Sequence, residues 1–176
     1  MRSLTLAGLS LITLPLALVM ATIPAPAQDG PILLSPEAIG QIFCLARAGN
    51  DMAPVEGLLT DDLSFTIAKA EAENEAWAAA HPGEKPPLGD GVPWGDFPDY
   101  TPSCTVGPVA IAAGNALVTI TYAFPDAPAA DYSHELVLTA VPDEMIGAAR
   151  WRIDNVVFAD DYDLRQALNL AFVDYQ

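Results

Sequence analysis

Apolar side chains first recur at helical spacing in "SPEAIGQIFCLARAG", where Ile39, Ile42, Phe43 and Ala46 stand at i, i+3, i+4 and i+7. That spacing gathers them on one face of an α-helix. The ends are marked too: Ser35 suits the N-cap, Pro36 the first helical position, Glu37 the positive end of the helix dipole, and Gly49 the close. Cys44 lies beside the apolar face, where it can also point inward. "MAPVEGLL" reads as a short helix or a turn. "TDDLSFTIAKAEAENEAWAAAHPG" predicts a longer helix, capped by Thr60 or Asp61 and ended by His81-Pro82-Gly83. Leu63, Ile67, Ala70, Asn74 and Trp77 share its inner face, which Asn74 interrupts, while Lys69 and Glu75 point to solvent.

No period is visible from Glu84 to Ser103, and Gly and Pro recur every few residues, so this stretch predicts a long ordered loop or lid. From Cys104 the apolar period falls to two. "CTVGPVAI" and "ALVTITYAF" flank Ala113-Gly114-Asn115, a hairpin signal, and "YSHELVLTAV" and "ARWRIDNVVF" follow as two further strands. Val118, Ile120, Tyr122 and Phe124 fall on one face of the second strand, and Trp151, Ile153, Asn155 and Val157 on one face of the fourth. Pro108 places the first strand at an edge or a bulge. "DLRQALNLAF" closes the chain as a helix, with Asp163 and Gln166 in a capping-box pattern and Leu164, Ala167, Leu168 and Ala171 apolar. Helices followed by consecutive antiparallel strands predict an α+β fold, with N-terminal helices packed on one face of a sheet of about four strands and a C-terminal helix.

The N-terminus changes where this domain is expected. Met1 to Ala27 opens with Arg2, runs apolar from Leu9 to Ala21, and ends in Ala25-Pro26-Ala27, the layout of a secretory signal peptide. A retained anchor is the alternative, but the apolar run is shorter than the roughly 20 residues a bilayer needs. Cleavage after Ala27 leaves a short linker, 28–34, and one domain, 35–176, destined for the periplasm or the medium and not for stable membrane insertion. The remaining six basic residues face 23 acidic ones, a net charge of −17. Such a chain repels nucleic acid, stays soluble, and attracts cationic partners. The two cysteines, Cys44 and Cys104, are an even pair in an oxidising compartment, where bonding is the common outcome. Free buried thiols are the alternative.

The order of elements resembles the NTF2-like, or cystatin-like roll, superfamily. More narrowly it is similar to a group of uncharacterised secreted bacterial proteins of that fold. The matching residues are Asp96 and Phe97 in the middle loop, Trp151, Ile153, Asp154 and Val156 in the last strand, and Leu164 and Arg165 at the start of the last helix. Asp163 stands where that pattern has serine, and Val156 where it has isoleucine. The likeness spans Ser35 to Phe172 and implies helices packed into a curved antiparallel sheet, but it carries no agreed activity.

Enzymes of the NTF2-like fold work inside the cone with an Asp or His base and an oxyanion-stabilising Tyr or Asp. The matching groups here are His134, in phase with Leu136 and Leu138, and Tyr122 on an apolar strand face. An edge or hydrogen-bonded histidine is the plainer reading of His134, and Arg152 with Asp154 reads as an ion pair on one strand face. His81 at a helix end is explained by the dipole. The chain contains no G-x-S-x-G, no H-E-x-x-H, no glycine-rich phosphate loop and no histidine cluster. Asp90, Asp96 and Asp99, and the run Ala159 to Asp163, offer oxygens for calcium but lack EF-hand spacing, so neither a metal nor another cofactor is expected.

"GDGVPWGDFPDYTPSC" brings Trp94, Phe97 and Tyr100 into the middle loop, either as a lid over the open end of the sheet or as a binding surface. The expectation is an exported, non-catalytic domain that binds a partner protein or a small apolar ligand. A small isomerase or hydrolase using the cone and an immunity-type inhibitor of a basic toxin are the alternatives.

Overall fold

The computed structural model describes residues 33–89, 91–95, 103–158 and 162–173. Three helices, α1 (Pro36–Gly49), α2 (Ala53–Glu56) and α3 (Asp61–Ala80), precede strands β1 (Ser103–Ala112), β2 (Asn115–Ala123), β3 (Tyr132–Asp143) and β4 (Ala148–Val157), and α4 (Leu164–Leu170) closes the chain. The strands form one open antiparallel sheet in the order β1-β2-β3-β4. The fold is α+β, as the sequence pattern predicts.

Local signals account for most element ends. Ser35 Oγ accepts from the Ala38 N–H at 3.2 Å, and Thr60 Oγ1 from that of Leu63 at 3.2 Å, so Thr60 rather than Asp61 caps α3. The Glu37 carboxyl is held below its ordinary value by its own backbone amide and then by the Ser35 hydroxyl. Gly49 does not close α1. It is the last helical residue, and Asn50 takes the left-handed conformation (φ 50°), a role asparagine accepts because its side chain tolerates it. Asp163 and Gln166 make a reciprocal capping box on α4. The β1–β2 turn is the pair Ala113-Gly114, both at positive φ, which matches the twist of a tight hairpin.

The helices cover one face of the sheet: α1 lies against β1 and β2, and α3 and α4 against β4. That inner face carries Val118, Ile120, Tyr122, Leu136, Leu138 and Ile153, all fully buried beneath Ile39 and Phe43 of α1 and Leu63 of α3. β1 is the edge strand, and its register shifts between Val106 and Val109, so Pro108 sits in an edge bulge where its missing N–H costs nothing. The other edge is covered. The Ile153 N–H donates to Leu58 O and the Thr60 N–H to Ile153 O, both at 2.8 Å, so the α2–α3 connector lies along β4 as a short parallel bridge.

The face predicted for β4 is corrected by the structure. Val137 pairs with Asn155 and Leu138 with Ile153, which leaves Asp154 as an extra residue. The bulge flips the alternation, so Ile153 and Val156 point inward, while Asn155 and Val157 do not share that face. A second correction follows. Asp154 does not pair with Arg152, which donates through Nη1 to Gly57 O. Asp154 instead accepts from Arg165 Nη2 and Thr60 Oγ1, both at 2.9 Å. Arg165 also donates through Nε to Asp154 O (2.9 Å) and through Nη1 to Asp62 Oδ2 (2.6 Å). One guanidinium thus ties β4, the start of α3 and the start of α4 together.

Candidate functional site

Two neighbouring regions of this fold carry polar groups among apolar ones. The first is the inner face at the β2–β3 end. His134 pairs with Ile120 across the strands, and Tyr122 with Tyr132. The His134 ring lies 5.1 Å from that of Tyr122, 4.9 Å from Tyr132 and 5.0 Å from Phe158. His134 is 1% exposed and Tyr122 fully buried. The structure therefore brings the two sequence-predicted groups together, but at the bottom of an aromatic cluster rather than on an accessible wall.

The second region is a cleft of about 900 Å³ between the end of α1, α2, the first turns of α3 and the segments 85–89 and 91–95. Its apolar lining is Met52, Leu59, Ile67, Leu88, Val92 and Trp94. Asn74, the polar interruption of the α3 face, holds the far side of the cleft in place: its Oδ1 accepts from the Leu88 N–H at 2.9 Å. Trp94 is buried and meets Phe43 edge to face at 6.2 Å between ring centres. Of the aromatic residues predicted in the middle loop, Trp94 is thus both packed and part of a cleft wall, while Phe97 and Tyr100 lie outside the described residues.

Arg47 is the site residue that the pattern of apolar positions does not reveal. It stands four residues after Phe43, on the side of α1 that faces the loop, and is half-buried. Its Nε is buried and donates to no acceptor among the described residues. Gly95 makes this placement possible. A Cβ there would stand 3.0 Å from Arg47 Nη2 and 3.1 Å from His134 Cε1, so the guanidinium and the imidazole both press against bare backbone. Gly95 is the thin partition between the cleft and the aromatic cluster. The sequence carries one faint signal for Arg47: a cation at i+4 from a core phenylalanine, in a chain with only 7 Lys and Arg.

The disulfide is present. Cys44 and Cys104 are bonded with their Cα atoms 5.4 Å apart, which joins α1, one turn before Arg47, to the first residues of the edge strand. Cys104 is opposite Tyr122 in the sheet, so the bridge lies on the inner face. It takes both thiols out of any nucleophilic role. His81 behaves as the helix-end reading expects: its Nδ1 lies 2.9 Å from Trp77 O and its ring stacks on that of Trp77.

Among the described residues no group of three His, Cys, Asp or Glu side chains is placed to hold a metal ion. Asp90, Asp96 and Asp99 lie outside them, and in the second acidic run Asp163 is the α4 cap. No helix among the described residues is long and apolar enough to cross a membrane. No protein-family model, curated protein or solved structure matches the chain.

Proposed function

We propose that the chain is an exported binding domain of NTF2-like architecture whose cleft beside Trp94 takes a small molecule with an apolar body. The observation that carries this reading is the cleft itself. At about 900 Å³ it has the size of a small-molecule site, and Leu59, Ile67, Val92 and Trp94 give it an apolar part beside the charged lining residues Arg47, Asp51, Glu56, Glu71 and Lys85. Its walls are tied together: α1 and α3 supply two sides, Asn74 holds Leu88, and the disulfide joins α1 to the sheet. The disulfide also supports export, because such bonds persist in oxidising compartments. The helices-then-meander order and the Trp151 to Arg165 pattern support the architecture.

The reading of the cone as a catalytic site is the weaker one. His134 and Tyr122 are neighbours, but reaction there needs a path for substrate, and both rings are closed off from solvent. The immunity reading rests on charge alone.

Titration of the mature domain with the neutral fluorophore N-phenyl-1-naphthylamine tests the proposal. Saturable enhancement is expected, and Leu88→Glu, which puts a charge on the cleft wall without opening the core, should weaken it by about ten-fold or more. Equal enhancement in the native and Leu88→Glu proteins, with the fold unchanged by circular dichroism, would place the probe elsewhere and end the proposal.

A further inference from the structure

The charges around the cleft are arranged unevenly. Asp51, Glu56 and Glu71 line it but are exposed, so they form a rim in contact with water. Asp51 is already engaged, its Oδ1 accepting from the Ala53 N–H at 3.1 Å. Lys85 is exposed at the rim as well. Arg47 is the half-buried charge of the lining. Among the described residues no carboxylate lies within ion-pair distance of its guanidinium, and its Nε has no acceptor. A guanidinium cannot shed its proton, and withdrawing it from water without an anion is costly. The chain has 23 acidic residues, yet among the described ones none reaches this half-buried guanidinium.

Resting on the cleft reading above, we propose that the ligand is an apolar molecule bearing a single carboxylate or similar monoanion, which Arg47 receives through its fork of N–H donors. A carboxylate accepts two parallel N–H bonds from a guanidinium, a geometry that fixes the head group while the tail lies on Leu59, Ile67 and Val92. The acidic rim sets the number of charges. It repels a dianion such as a phosphate ester more strongly than a monoanion, whose one charge is cancelled at Arg47. Gly95 serves the same arrangement, because a Cβ there would crowd the guanidinium at 3.0 Å and the buried His134 ring at 3.1 Å.

Two probes of one ring system separate this inference from the reading beneath it. N-phenyl-1-naphthylamine is neutral, and 8-anilinonaphthalene-1-sulfonate adds one negative charge. Arg47→Gln is expected to weaken the sulfonate probe by about ten-fold or more, the loss typical of a charge-assisted hydrogen-bonded contact, and to leave the neutral probe within about two-fold. If the sulfonate and neutral probes bind native protein alike and Arg47→Gln changes neither, the inference is overturned while the cleft stands. If neither probe binds, the cleft reading falls, and the inference with it. A measurement on the native protein guards against a variant that folds poorly. Decanoate should displace the neutral probe at a concentration about ten-fold or more below that of decyltrimethylammonium, which has the same tail and the opposite charge. Equal potency, or a more potent cation, shows that the rim outweighs Arg47 and overturns the inference.

Discussion

Gly40 faces the sheet from the middle of α1, and an ideal Cβ there would stand 2.9 Å from Val118 Cγ1 and 3.2 Å from both methyls of Val106. In an exposed helix, replacing glycine by alanine stabilises by roughly 0.5–1 kcal/mol, because the glycine chain loses more freedom on folding. Here the sign reverses. Val118 is fully buried and cannot retreat, so the added methyl forces α1 away from β1 and β2. Gly40→Ala should destabilise by about 1–3 kcal/mol, read as a lower urea midpoint with an unchanged slope. A midpoint equal to or above that of the native protein would mean that the helix–sheet spacing is looser than the structure has it. Arg47 depends on the same kind of fact. Its inward placement is permitted by Gly95, forty-eight positions along the chain, and no local pattern on α1 announces a glycine so distant.

At the scale of elements, Arg165 gives physical content to the Trp151 to Arg165 pattern of the last strand and helix. Asp154 is the bulge residue of β4, and the bulge turns its carboxylate to where Arg165 and the Thr60 hydroxyl meet it. Ile153 and Leu164, on either side, are fully buried. Removing either charge should release α4 and the start of α3 together. A double-mutant cycle on Asp154→Asn and Arg165→Met is expected to give a coupling of about 1–2 kcal/mol, above the usual surface pair because Arg165 is only 23% exposed and the bonds converge. Coupling near zero would make the network decorative. This region also shows where sequence reading stops. N-caps, the hairpin turn and the edge proline were legible because each acts over a few residues, whereas the close of α1 fell on Asn50 rather than Gly49. The β4 bulge was not legible: Ile153, Val156 and Val157 are all apolar, so a slip of one residue leaves the alternation plausible in either phase. The pairing of Asp154 with Arg165 rather than Arg152 follows from that slip and was equally hidden.

For the whole molecule, the Cys44–Cys104 bridge is the longest-range covalent constraint, closing a loop across 60 positions that contains α2, α3 and the loop to β1. α3 packs mainly on α4 and β4, whereas α1 packs on β1 and β2, so the sheet is gripped at its two ends by helices with few shared contacts. The disulfide holds α1 against the edge strand, where the sheet has no further neighbour among the described residues. On the chain-entropy estimate a loop of this length contributes about 4 kcal/mol, a large part of the 5–15 kcal/mol typical of a domain. Reduction, or replacement of both cysteines by alanine, should lower the urea midpoint accordingly. If the bridge acts through the native state as well as the unfolded chain, amide exchange should quicken most in α1 and β1 and least in β3 and β4. Uniform quickening across the sheet would assign the whole effect to the unfolded chain. Because Arg47 is one turn beyond Cys44, loosened α1 should also lose the anionic probe before the neutral one, which links the redox state of the compartment to what the cleft can hold.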